Sequence, residues 1–188
     1  GVSLSKKGQE QALALVPTLS QLKISHIHSS PLQRCIETVS PFQRDFRSLK
    51  IKKNSAFIEM DYGSWSGRKL STLSKQKLWN HIQSTPSVVR FPEGESFLEM
   101  RSRAIDGIEN LRGIKGNHLV VSHGDVIRTI LNHYLGSHID HFQRIAIDPA
   151  SISTLIFHDG NVSVRSMNAK ESHRGNGQST LGGGSGPA

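Results

Sequence analysis

LVVSHGDVIRTIL, residues 119–131, reads as a buried strand that ends on a histidine and passes at once into a helix. Leu119, Val120, Val121 and Ser122 lead to His123; Gly124 then lets a backbone approach a ligand closely, and apolar residues return at helical spacing. The first N–H groups of such a helix have no partner inside it, and they favour a neighbouring anion by about 0.3–1 kcal/mol. A phosphate beside His123 would be stabilised this way before any side chain contributed. The same residues also fit a histidine hydrogen-bonded within a βα turn, so the remainder of the chain has to choose.

Working outward, residues 5–22 carry Ala12, Leu15, Val16, Leu19 and Leu22 at helical spacing behind Ser5 as a cap, and predict one amphipathic helix. ISHIH at 24–28 alternates as a strand does, and SSP at 29–31 predicts a helix starting near Pro31 with Leu32, Cys35, Ile36 and Val39 inward. That register leaves Arg34 and Thr38 on another face, toward the strand ends. The basic stretch 47–53 leads to a predicted short strand ending at Glu59, followed by a loop around Trp65. Residues 69–83 are weakly helical, 85–96 form a turn-rich loop, and Glu95 opens a helix with Phe97, Met100, Ala104, Ile108 and Leu111 inward. SISTLIF and NVSVRSM around Asp159-Gly160 predict a β-hairpin. Alternating helices and strands imply an α/β, three-layer αβα sandwich with a mainly parallel sheet. Ligands in such folds bind at the carboxyl ends of the strands, where Arg34, Glu59 and His123 are all expected.

The chain of 188 residues suits one domain over 1–175, with a polar, glycine-rich tail at 176–188 expected to be disordered. A net charge of +8 suits anionic partners, phosphorylated metabolites among them. Scattered cations and 6% aromatics do not suit a nucleic-acid reader. Cys35 is the single cysteine, so no intrachain disulfide forms. With no apolar run near 18 residues and no signal peptide at the visible start, a cytoplasmic protein without membrane contact is expected. A Cys-x5-Arg phosphatase would need arginine where Pro41 stands, no Gly-Lys-Ser or Gly-Lys-Thr phosphate loop occurs, and no HExxH pattern supports a metal. Neither a metal nor another cofactor is expected.

LSKKGQEQA at 4–12, SSPLQRCIET at 29–38, FIEMDYGSWSG at 57–67, FPEGES at 91–96 and VVSHGDVIR at 120–128 resemble, in order and spacing, the histidine phosphatase superfamily with its phosphoglycerate-mutase-like fold. The resemblance implies that Arg34 binds the phosphoryl group, His123 stabilises its charge, Glu59 protonates the leaving oxygen, Gly124 adds a backbone N–H and Glu95 is a further pocket residue. A phosphoryl group in transfer spreads charge over its oxygens, so positioned cations and donors supply most of the catalysis. It also implies a nucleophilic histidine in an Arg-His-Gly motif on a first strand, and no Arg-His-Gly occurs in this chain. His173-Arg174-Gly175 has the wrong order, and His26 and His28 belong to the next strand along. The chain opens Gly-Val-Ser, and the reading is a phosphatase for small phosphate monoesters whose first strand and nucleophile lie upstream. As written it is expected to be poorly stable and inactive. The short span from Glu59 to His123 favours a phosphatase over a mutase, and a non-catalytic, phosphate-binding pseudophosphatase is the rival from another class.

Overall fold

The computed structural model describes residues 1–158 and 160–170; the predicted tail and Asp159 of the hairpin turn lie outside the described residues. The predicted first helix is two: α1 (Lys6–Ala14), capped by the Ser5 side chain, and α2 (Val16–Gln21). Pro17 has no N–H to continue the ladder, and the chain bends there while Ala12, Leu15 and Leu19 stay buried. β1 (Ile24–Ser29) follows, then α3 (Gln33–Asp45) with Cys35, Val39 and Phe42 buried. α3 starts two residues later than Pro31 predicts: the Ser30 hydroxyl accepts the Leu32 N–H at 3.3 Å and also lies 2.8 Å from His123 Nε2, and no side chain caps the helix at Leu32.

β2 (Ile51–Lys53) lies in the basic stretch, and the predicted strand ending at Glu59 is absent. A 3-10 turn at Ser55–Phe57 replaces it: Asn54 accepts the Ala56 N–H, Phe57 is fully buried, and side chains satisfy the carbonyls a ladder would have used. Two short helices, α4 (Leu70–Leu73) and α5 (Lys77–Ser84), precede the loop at 85–96. Then α6 (Phe97–Arg112) opens on a capping box in which Ser96 and Glu99 bond each other's backbone N–H groups, so Ser96 and not Glu95 is the start signal. β3 (Asn117–Val121) and α7 (Gly124–Tyr134) follow as read, and β4 (Ile152–His158) pairs antiparallel with β5 (Asn161–Ala169).

β1 runs parallel to both β2 and β3, in the order β2-β1-β3, with Ile27 beside Ile51 and Leu119. Leu119 and Val121 pack with Leu19, Val39 and Phe42 on the α1–α3 side, whereas Val120 packs with Met100 and Val126 on the α6–α7 side. Both faces of the sheet are thus covered. Among the described residues no ladder joins β3 to β4; a cavity of about 680 Å³ separates them, lined by Leu119, Val120, Ile152 and Leu155 with Ile108 and Ile130 above.

Candidate active site

Three loops leave the carboxyl ends of β1, β2 and β3 and bring Arg34, Glu59 and His123 together. His123 stands two residues past the end of β3 as the N-cap of α7 and is buried to 6% exposure. Arg34 Nη2 lies 3.0 Å from its Nδ1, and Ser30 Oγ lies 2.8 Å from its Nε2. A guanidinium only donates, so Nδ1 accepts, Nε2 carries the hydrogen and gives it to Ser30, and the tautomer is set. Burial, with Arg34 and Arg103 nearby, lowers the His123 pKa to about 4, so the imidazole is neutral near pH 7. A positive charge on this imidazole would therefore need a neighbouring anion. Cys35 Sγ sits 3.5 Å from Nε2, and burial raises its thiol to about 11, well away from a nucleophile's range.

Glu59 Oε2 is 3.6 Å from His123 Nδ1 and 3.9 Å from Arg34 Nη2. Burial raises its pKa, the Met60 N–H on Oε1 pulls it back, Asp125 pushes it up again, and Arg34 and Arg103 oppose. The outcome is upward, as a proton donor requires. Asp125 accepts from the Tyr62 hydroxyl at 3.1 Å and from Arg128 at 3.0 Å, so a held carboxylate stands beside Glu59. Gly124 is the first residue of α7, and a Cβ there would meet nothing within 4 Å, which leaves the helix mouth open on the site.

Glu95, expected as a further pocket residue, gives both of its carboxylate oxygens to Arg103, through Nε at 2.6 Å and Nη2 at 2.8 Å, and packs against the loop of Glu59. The sequence reading also passed over Arg103, Ser30, Tyr62 and Asp125. Only Arg103 carries a readable signal: Gly107 follows it by one helical turn, and a Cβ there would come within 2.7 Å of Ala56, marking the face where a loop packs closely.

An arginine fork, a neutral imidazole and a carboxyl whose pKa is raised, around one opening, suit a phosphoryl group and the oxygen it leaves. The family model of the histidine phosphatase superfamily, branch 1, matches residues 1–170. The chain belongs to this superfamily. Phosphoserine phosphatase 1 of Hydrogenobacter thermophilus is 30% identical over 156 residues, which is 81% of this chain and 74% of that protein. A probable phosphoglycerate mutase of Escherichia coli, GpmB, is 28% identical over 160 residues, covering 83% and 74%. The crystal structure of the alpha-ribazole phosphatase from Shigella flexneri superposes with a TM-score of 0.81 at 21% identity, over 92% of this chain and 87% of that one. This last likeness speaks for the fold. Members of the superfamily similar to this chain are thus phosphatases and mutases.

Proposed function

We propose that this chain forms the phosphate-holding and proton-donating part of a phosphatase for small phosphate monoesters, which works through a phosphohistidine. The convergence of Arg34, Glu59 and His123 within 4 Å of one another carries the reading. Arg34 turns its fork from the imidazole to the phosphoryl oxygens, and His123, relieved of that contact, takes a proton at Nδ1 and donates to the same anion. As a nucleophilic histidine forms its N–P bond, the P–O bond to the leaving group breaks and Glu59 gives its proton to the departing oxygen. Glu59, now a carboxylate, takes a proton from water as that water attacks phosphorus and breaks the N–P bond, which releases phosphate and returns the acid.

The nucleophile is proposed to lie on a strand preceding Gly1. The cavity between β3 and β4 supports this: it separates two strand edges, its walls are apolar, and it extends to Ser122, next to His123. A strand seated there would end beside the anion site and could supply a further cation. The test compares this chain with a form extended through the upstream codons. The extended form is expected to hydrolyse p-nitrophenyl phosphate and to trap an acid-labile, alkali-stable phosphoryl label; equal turnover by both forms would refute the proposal. Phosphate binding by both forms with turnover in neither would instead establish the pseudophosphatase, which the anion site of this chain favours on its own.

A further inference from the structure

Arg103, on α6, directs its whole guanidinium at the back of the loop that carries Glu59. Nη1 donates to the carbonyls of Ala56 at 2.9 Å and Ile58 at 2.8 Å, and Nη2 to the carbonyl of Glu59 itself at 3.3 Å. The remaining reach goes to Glu95, which holds the loop from its other side: its N–H donates to the Asp61 carbonyl at 2.9 Å and its Oε2 accepts the Asp61 N–H at 3.4 Å. Residues 56–61 belong to no strand, so this ion pair takes the place of a ladder. The side chain of Glu59 is referenced to the same backbone, because the Met60 N–H bonds Oε1 at 3.0 Å. Fixing the backbone therefore fixes where the carboxyl points.

We propose that Arg103 is a positioning residue for the proton donor: by gathering the carbonyls of Ala56, Ile58 and Glu59 onto Glu95, it keeps the Glu59 carboxyl against His123. The inference rests on the reading of Glu59 as the acid. It requires arginine and not merely a positive charge, since a lysine ammonium is a point donor that cannot span three carbonyls and two carboxylate oxygens.

The test uses the form extended through the upstream codons, and its readouts do not depend on turnover. The side-chain carboxyl of Glu59 is followed by 13C NMR against pH, and amide exchange is followed along the chain, in the parent and in Arg103→Lys, which keeps the charge and loses the fork. Expected is a Glu59 titration that moves down toward the ordinary glutamate range, as the carboxyl swings into water, with amide exchange at residues 57–61 at least about tenfold faster while β1 and β3 exchange as before. An unmoved Glu59 titration in a folded variant overturns the proposal, and so does faster exchange spread evenly over the chain, which would make Arg103 a general stabiliser. If Arg103→Lys does not fold, Glu95→Gln is read in its place: it breaks the ion pair but keeps shape and fork, and must loosen the same residues for the proposal to stand. Turnover in the extended form judges the proposed function, whereas the Glu59 titration judges Arg103, so the two fail separately.

Discussion

At the scale of single residues, the site shifts two titratable groups in opposite directions, the imidazole down and the carboxyl up, so that each is held toward its uncharged form. Both follow mainly from burial, which penalises whichever form carries charge. The acid catalysis proposed for Glu59 would be needed most when the leaving group is a poor one. In the upstream-extended protein, Glu59→Gln is expected to slow hydrolysis of an alkyl phosphate by about 10²–10⁴-fold. Hydrolysis of p-nitrophenyl phosphate, whose phenolate departs without a proton, should fall far less. Steady-state kcat on the two esters gives the ratio, and equal losses would remove Glu59 from the role. Because the proton must be present on Glu59, the alkyl reaction should also decline as pH rises through its raised pKa, and the p-nitrophenyl reaction should decline less steeply.

At the scale of elements, β1 and β3 carry the site at their carboxyl ends and a histidine cluster along their length. His26 and His118 are paired across the two strands with rings stacked 4.6 Å apart, and His28 Nε2 lies 3.3 Å from His118 Nδ1. His118 Nε2 bonds the Ile114 carbonyl, so its hydrogen is there and its Nδ1 accepts from His28. Burial, then His118, Lys52 and His26, lowers the His28 pKa to about 4. The unfolded chain binds that proton near 6.5 and the folded one does not, so this contribution to stability is whole above about pH 6.5 and is lost as pH falls toward 4. His123 acts in the same direction. His28→Phe should shrink the fall in Tm between pH 6.5 and 4, at a cost of roughly 1 kcal/mol near pH 7 for the lost hydrogen bond. An unchanged Tm profile would show that His28 does not titrate on unfolding.

The same elements show what the sequence makes legible. The run to His123 and the helix beyond it announce themselves, because an apolar strand and an apolar helical stripe are both local patterns. The loop of Glu59 does not, because its backbone is satisfied from α6, 44 residues away in the case of Arg103 and Glu59. The stretch ending at Glu59 therefore looks like a strand when read alone and folds as a 3-10 turn and loop against Arg103. Arg34 and His123 were readable as residues, but the Ser30 contact that sets the His123 tautomer was hidden behind the more usual reading of Ser30 as a helix cap. Close contact between two loops was equally silent: Gly63, at φ +51°, lies where a Cβ would come within 2.1 Å of the Pro92 carbonyl.

At the scale of the whole molecule, the sheet is divided between β3 and β4. Among the described residues β3 pairs only with β1, and β4 only with β5, so each presents one edge of backbone donors and acceptors to the cavity between them. Such an edge is a template for another strand, and here apolar side chains line the space as well. The net charge of +8 opposes association by repulsion, an effect that salt screens. The 188-residue chain is therefore expected to self-associate in a concentration-dependent way, more strongly at higher salt, and the form extended through the upstream strand to remain monomeric under the same conditions. Sedimentation velocity at several concentrations and two salt levels measures both. Salt separates the alternatives: association through exposed charges would weaken as salt rises, whereas edge pairing over an apolar slot strengthens. A chain that stays monomeric at all concentrations would mean that the two edges close on each other in solution, and the proposed seat for the nucleophile's strand would be lost with them.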